Sequence, residues 1–210
     1  MINMQKITDW LVTETGQCQP RPAAKAWKLI RDRYYFHRFL TDITDLLDQV
    51  PNEQDEWNFL PQIRMRVRQL ITNSYWLSTQ KPTANRKTGV AIETLYDEIG
   101  YPLTVQNVLS MPGSVSPIHN HGTWGVIAIL EGKEKHTFWK QVDPIHQPFR
   151  IEAVGEKIFG PGEIISFMPQ TIHQVSISGN LPSFTFQIYG DTQPRSRYEY
   201  HPDKGTARPF

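Results

Sequence analysis

Cysteine is nearly missing from this chain. Cys18 is the single one among 210 residues. One thiol excludes an intramolecular disulfide and a thiolate metal cluster, and it fits a reducing compartment. Long apolar runs are missing too. No stretch approaches the ~20 apolar residues of a membrane-spanning helix, and Met1 to Trp10 carries no apolar signal core. No membrane partner is expected, and a cytoplasmic location is the default expectation. Excess charge of one sign is also absent. Lys and Arg number 22 against 21 Asp and Glu, for a net charge of +1, which argues against a nucleic-acid partner. There is no internal repeat and no low-complexity tract.

The hydrophobic share of 39% and charged share of 20% are those of a globular chain. Two halves differ in pattern. Residues 1–80 read as helical. Ile7, Trp10 and Leu11 share one helical face, and GQCQPRP breaks the chain at Gly16 to Pro22. Between Ala23 and Val50, Trp27, Ile30, Tyr34, Phe39, Ile43, Leu46 and Leu47 recur at helical spacing, with Thr41 and Asp42 as a break or a polar face. Pro51 ends that segment. Asp55 to Thr79 predicts another helix, kinked or begun at Pro61. Arg64, Arg66 and Arg68 read as its solvated side, with an anion patch as the alternative. Lys81 to Gly89 is a loop, and Ala91 to Ile99 reads as a short helix.

After Tyr101 short apolar or alternating runs are separated by Gly and Pro. They are Leu103–Leu109, Trp124–Leu130, Glu134–Val142, Phe149–Ile158, Glu163–Met168, His173–Ile177 and Ser183–Tyr189, with Arg197–His201 as a further short strand. This is the cadence of an antiparallel sandwich or barrel. The expected organisation is one compact unit: a helical N-terminal region over residues 1–90, packed on a β-barrel domain over residues 91–210.

Within the barrel, GSVSPIHNHGTWGVIAILEG holds His119 and His121 one residue apart. On a strand they share a face, about 6.6 Å apart, and two imidazoles at that separation can tilt onto one metal. His173 in PQTIHQVSI is the candidate third ligand. Three imidazoles on one face leave open positions, which marks a catalytic rather than a structural site. Three neutral ligands leave a divalent metal its full charge, so an anionic co-ligand is favoured, and a coordinating thiol is deprotonated outright. The other histidines, His37, His136, His146 and His201, read as surface or satisfied core, His136 being the least settled of them. On the run SFTFQIY, Thr185, Gln187 and Tyr189 share one face, expected to point into the barrel, while Phe184, Phe186 and Ile188 pack outward. Trp124 reads as core, or as a wall of the pocket.

The pattern G-x5-H-x-H at Gly113, His119 and His121 resembles the first motif of the cupin superfamily. Gly132 fits the final Gly of that motif, while the Glu position holds Gly125. Gly162, Pro169 and His173 resemble the second motif. Three His without the Glu resemble the cysteine dioxygenase-like, or thiol dioxygenase, branch, over roughly Leu103 to Gly190. The resemblance implies a cupin double-stranded β-helix, mainly β with an N-terminal helical region. It implies Fe(II) held by His119, His121 and His173, with zinc, nickel or manganese as alternatives. It implies oxidation of a small thiol to its sulfinate with O2. A Ser-His-Tyr series in that branch corresponds to Thr185, Gln187 and Tyr189, which makes Tyr189 and Gln187 the candidate catalytic residues. The Cys that animal-type enzymes cross-link to the Tyr has no counterpart in Trp124-Gly125-Val126. The carboxylate-binding Arg of the branch has none in AIETLYDEIGY; Arg86, Lys87, Arg195 and Arg197 read as surface charges. A metal-dependent cupin enzyme on a non-thiol substrate, dioxygenase or isomerase, or a non-catalytic metabolite-binding cupin are the alternative functions. A monomer and a homodimer are both compatible with the sequence.

Overall fold

The computed structural model describes residues 8–23, 33–49, 56–85, 87–101, 103–191 and 195–209. Ile7, Trp27, Ile30, Val50, Pro51 and Arg86 lie outside them.

The chain folds as two stacked sheets closed into a jelly-roll barrel, mainly β, and among the described residues three α-helices lie over one face. Eight strands follow the alternating and apolar runs closely: β4 Leu103–Ser110, β6 Gly125–Glu131, β7 Glu134–Asp143, β8 Gln147–Phe159, β9 Ile164–Phe167, β10 Ile172–Ile177, β11 Ser183–Gly190 and β12 Tyr198–His201. Two short strands escape the pattern, β5 Ile118–His119 and β13 Thr206–Pro209. β5 has only two residues, and β13 reads TARP, without an apolar alternation to mark it.

The N-terminal half departs from expectation in two places. Residues 8–22 form a hairpin, β1 Thr8–Val12 and β2 Cys18–Pro22, rather than a helix and a break. β1 docks parallel to β9, and β2 closes that edge of the sheet. Prolines are tolerated in β2 because an edge strand has one side with no ladder to complete. Residues Val90–Asp97 form β3, an edge strand on β4, rather than a helix. Eight residues hold barely two turns, too few for sequence periodicity to separate the two forms.

The seven-stranded sheet runs β2-β1-β9-β6-β11-β4-β3, and the six-stranded sheet β13-β12-β5-β10-β7-β8. Gly132 turns the chain from β6 to β7 with φ at 71°, and a Cβ there would lie 2.2 Å from the Pro182 carbonyl oxygen. Only Gly takes that conformation and that contact without strain.

β6 reads GVIAILE, a continuous apolar run, because it is buried on both faces. Val126 and Ala128 face the helices, whereas Ile127 and Ile129 face the barrel interior with Val12, Phe138, Phe159, Ile165 and Phe167. β11 divides in the expected way. Phe186 sits edge-on to Phe39 of helix α1 (Phe36–Asp48), with ring centroids 5.7 Å apart. Helix α2 (Glu56–Asn73) runs through Pro61 and buries Phe59, Leu60, Ile63, Val67 and Leu70 on the same sheet. A short helix α3 (Tyr75–Thr79) adds Leu77.

Asp42 does not break α1. It is buried, accepts the Tyr34 hydroxyl at 2.8 Å, and pairs with Arg38 at 2.8 Å and Arg66 of α2 at 3.4 Å. The arginines of α2 are not a solvated stripe. Arg64 and Arg68 are buried, at 4% and 5% exposure. Arg64 donates to the Ser166 hydroxyl at 2.9 Å, while Arg68 pairs with Asp9 and donates to the Gly162 carbonyl. Burial raises the Asp9 carboxyl against the pull of Arg68. The helix is thus bolted through polar contacts to β1 and β9, a connection that no helical periodicity announces. Among the described residues, no helix is long and apolar enough to cross a membrane.

Candidate metal centre

Two strands, and the loop that follows one of them, bring the histidines together. His119 on β5 lies directly opposite His173 on β10, so both rings leave the sheet on one face. His121 follows two residues after His119, and Asn120 between them is turned the other way. The Asn120 amide donates to the Gln170 side chain at 3.1 Å and the Ser196 carbonyl at 2.8 Å, and its oxygen accepts the Tyr198 N–H at 2.7 Å. This clamp fixes the stretch that carries both rings. It also draws the Ser196–Tyr198 segment against the site.

One ligand nitrogen from each of His119, His121 and His173 lies within 4.8 Å of the others, and all three residues are buried. Nε2 of His121 and Nε2 of His173 are 2.9 Å apart. Two ligands at right angles on a metal with bonds of about 2.1 Å stand about 3.0 Å apart, so the geometry fits one ion. His119 directs Nδ1 to the Pro117 carbonyl oxygen at 2.9 Å. A proton on Nδ1 makes Nε2 the unprotonated nitrogen of the neutral ring. Burial drives the His119 imidazole down to about 4, the Pro117 contact working against it and the positive charge of Arg197 with it. Burial, and then the neighbouring rings, hold His121 and His173 well below the ordinary imidazole range. All three are therefore neutral at physiological pH, the form that a metal needs.

Tyr189 and Gln187 occupy the interior face of β11. The Tyr189 ring lies over His121 with centroids 4.6 Å apart and an interplanar angle of 31°. Its hydroxyl donates to Gln187 Oε1 at 2.7 Å, and the Gln187 amide donates to the Thr185 hydroxyl at 2.9 Å. Gln106 of β4 adds a donor to the same Gln187 oxygen at 3.0 Å. Burial raises the Tyr189 phenol, which stays protonated and able to donate.

Gly125, where the cupin pattern has Glu, pairs with Tyr189 across β6 and β11. A Cβ at Gly125 would come within 2.8 Å of two Tyr189 ring carbons. The tyrosine ring fills the space that a side chain at position 125 would enter. Trp124 is core rather than pocket wall, buried edge-on to Phe59 at 5.6 Å.

Sequence reasoning missed three participants. Arg197 is half-buried rather than a surface charge, and its guanidinium is close enough to His119, His121 and Tyr189 to bias all three. Burial lowers the Arg197 guanidinium, which nevertheless stays cationic. It lies immediately before β12, the strand that pairs with β5, and only that pairing brings it to the site. His136 is fully buried and touches His173, with Nδ1 to Nδ1 at 3.3 Å. Glu134, two residues earlier on the same face of β7, holds the other His136 nitrogen at 3.0 Å. Arg195, in contrast, is exposed as expected.

No family model matches the chain. Similar solved structures include an oxalate oxidase in complex with the substrate analogue glycolate, at 12% identity over 55% of this chain and 58% of that one, with a TM-score of 0.42. A cupin-like protein from Thermotoga maritima is 17% identical over 57% of this chain and 77% of that one, with a TM-score of 0.40. The polyketide cyclase RemF from Streptomyces resistomycificus is 20% identical over 55% and 78%, with a TM-score of 0.39. The chain spans 58% of the length of that oxalate oxidase.

Proposed function

We propose that the protein is a mononuclear non-haem Fe(II) thiol dioxygenase-like enzyme, converting a small thiol that carries a carboxylate or similar anion into its sulfinate. The observation that carries this reading is the ligand set: three buried, neutral imidazoles converge, and no carboxylate belongs to the group. Fe(II) bound there would keep its full positive charge, favour a thiolate partner and supply O2 activation.

The chain's own residues supply the rest. Arg197 holds the anionic end of the substrate, as a guanidinium holds a carboxylate through paired N–H donors. This supplies, from the segment before β12, the function left without a residue upstream of His119. Tyr189, whose hydroxyl donates its one proton to Gln187, holds its ring over His121 and keeps its phenol oxygen as an acceptor. Phe138, Phe159 and Phe167 exclude water from the barrel interior behind the histidines. The reaction balances as thiol plus O2 giving sulfinate and one proton. Sulfur loses four electrons, O2 gains four, both oxygen atoms stay on sulfur, and the thiol proton goes to solvent.

The test is oxygen uptake by iron-loaded protein against a panel of small thiols, with sulfinate measured by mass spectrometry. Stoichiometric uptake and sulfinate with a carboxylate-bearing thiol are expected. No sulfinate with any thiol, or uptake with non-thiol metabolites alone, overturns the reading.

A further inference from the structure

His173 differs from the other two histidines in what stands behind it. His119 rests on a backbone carbonyl. His173 rests on a second imidazole, which rests on a buried carboxylate. The contacts run in a line. Ser183 Oγ donates to Glu134 Oε1 at 3.0 Å; Glu134 Oε2 faces His136 Nε2 at 3.0 Å; His136 Nδ1 faces His173 Nδ1 at 3.3 Å; His173 Nε2 faces His121 at 2.9 Å. Glu134 is 3% exposed and His136 not at all.

The carboxylate at the far end orders the protons along this line. The Glu134 carboxylate only accepts, so His136 carries its proton on Nε2. With that proton on Nε2, His136 presents Nδ1 as an acceptor, and His173 donates to it from its own Nδ1. That leaves Nε2 of His173 as a lone pair directed at His121. We infer that Glu134 and His136 are positioning residues that fix His173 in the tautomer able to bind metal, and so set the affinity of the site. Without the carboxylate, His136 can reverse, put its proton on Nδ1, and drive the His173 proton onto the metal-facing nitrogen. The aromatic wall holds the relay in register: Phe167 lies against both rings, at 5.9 Å from His136 and 4.7 Å from His173. Outer groups that orient a ligand imidazole in this way typically contribute about 10- to 100-fold to metal affinity.

The inference rests on the metal-centre reading, and its test separates the two. Wild type, Glu134→Gln and His136→Phe are prepared metal-free with nitrogen-15-labelled histidine. Glu134→Gln is close to isosteric and keeps the Ser183 contact, so it guards against simple loss of folding. Ring-nitrogen shifts report the His173 tautomer without any metal, and cobalt(II) affinity is measured by chelator competition. In wild type, His173 is expected wholly protonated on Nδ1. In both variants it is expected mixed or reversed, with cobalt(II) bound about 10- to 100-fold more weakly. A wild-type His173 protonated on Nε2, or folded variants with unchanged tautomer and affinity, overturns the inference. Wild type with the Nδ1 proton but no cobalt(II) binding leaves the tautomer relay standing and overturns the metal-centre reading.

Discussion

Replacing Gly125 with Ala tests how tightly Tyr189 is held over His121. Gly125 has no positive φ, so alanine costs nothing in backbone conformation. The added methyl carbon would sit 2.8 Å from two carbons of the Tyr189 ring. Carbon atoms rest at about 3.5–4.0 Å, so the ring must retreat by about 1 Å. It cannot retreat without loss. The ring is buried, lies over His121, and is tied through its hydroxyl to Gln187 at 2.7 Å. Overpacking of this kind costs about 1–3 kcal/mol. For a chain of this size that is a fall of about 2–12 °C in melting temperature. Misplacing a positioned group by about 1 Å costs about a hundredfold in rate, so turnover with a thiol should suffer more than stability does. The assay is urea unfolding of Gly125→Ala in two backgrounds, wild type and Tyr189→Ala. With the ring removed, the methyl has room and its cost should vanish. Equal cost in both backgrounds, or no cost in either, refutes the steric reasoning.

Three further outcomes are expected. Arg197→Gln should raise KM about 10- to 100-fold for a carboxylate-bearing thiol, the worth of one charged hydrogen-bonded contact, and leave a carboxylate-free thiol of equal length unchanged; steady-state kinetics on the pair decides it. Asp9→Asn should destabilise the fold by about 3–5 kcal/mol in urea unfolding, because it leaves the buried Arg68 guanidinium uncompensated. Metal-free protein should lose stability as pH falls from 6.5. The folded state holds His119 neutral down to about 4, whereas the unfolded chain takes up its proton near the ordinary imidazole value of 6.5. Stability from this group is complete above 6.5 and is lost as pH falls through 4; from pH 7.5 to 5 His119 alone accounts for about 2 kcal/mol, read from urea midpoints.

The barrel could be read from the chain because its strands are long and its turns carry Gly and Pro. β7 and β11 show on the page which side chains face inward. The helices over Phe36–Asp48 and Glu56–Asn73 follow from apolar spacing in the same way. The first hairpin could not, since Trp10 and Leu11 are adjacent apolar residues that suit either form, and its register comes from pairing with distant β9. Arg64 and Arg68 misled because charge predicts exposure, and only tertiary partners reverse that. At the site, short-range spacing identified His119 and His121, and motif order identified His173. His136, Glu134 and Arg197 come into place only through strand register. His136 meets His173 because β7 and β10 are neighbours, and Arg197 reaches the centre because β12 pairs with β5.

The central claim is that three imidazoles hold one metal ion. Metal content per chain, measured by mass spectrometry on purified wild type and on His173→Ala after identical loading with Fe(II) without oxygen, addresses it directly. The account predicts about one iron per wild-type chain and next to none in the variant, since a three-ligand centre deprived of one ligand does not retain its ion through desalting. Iron absent from folded wild type, or equally abundant in both proteins, would contradict it.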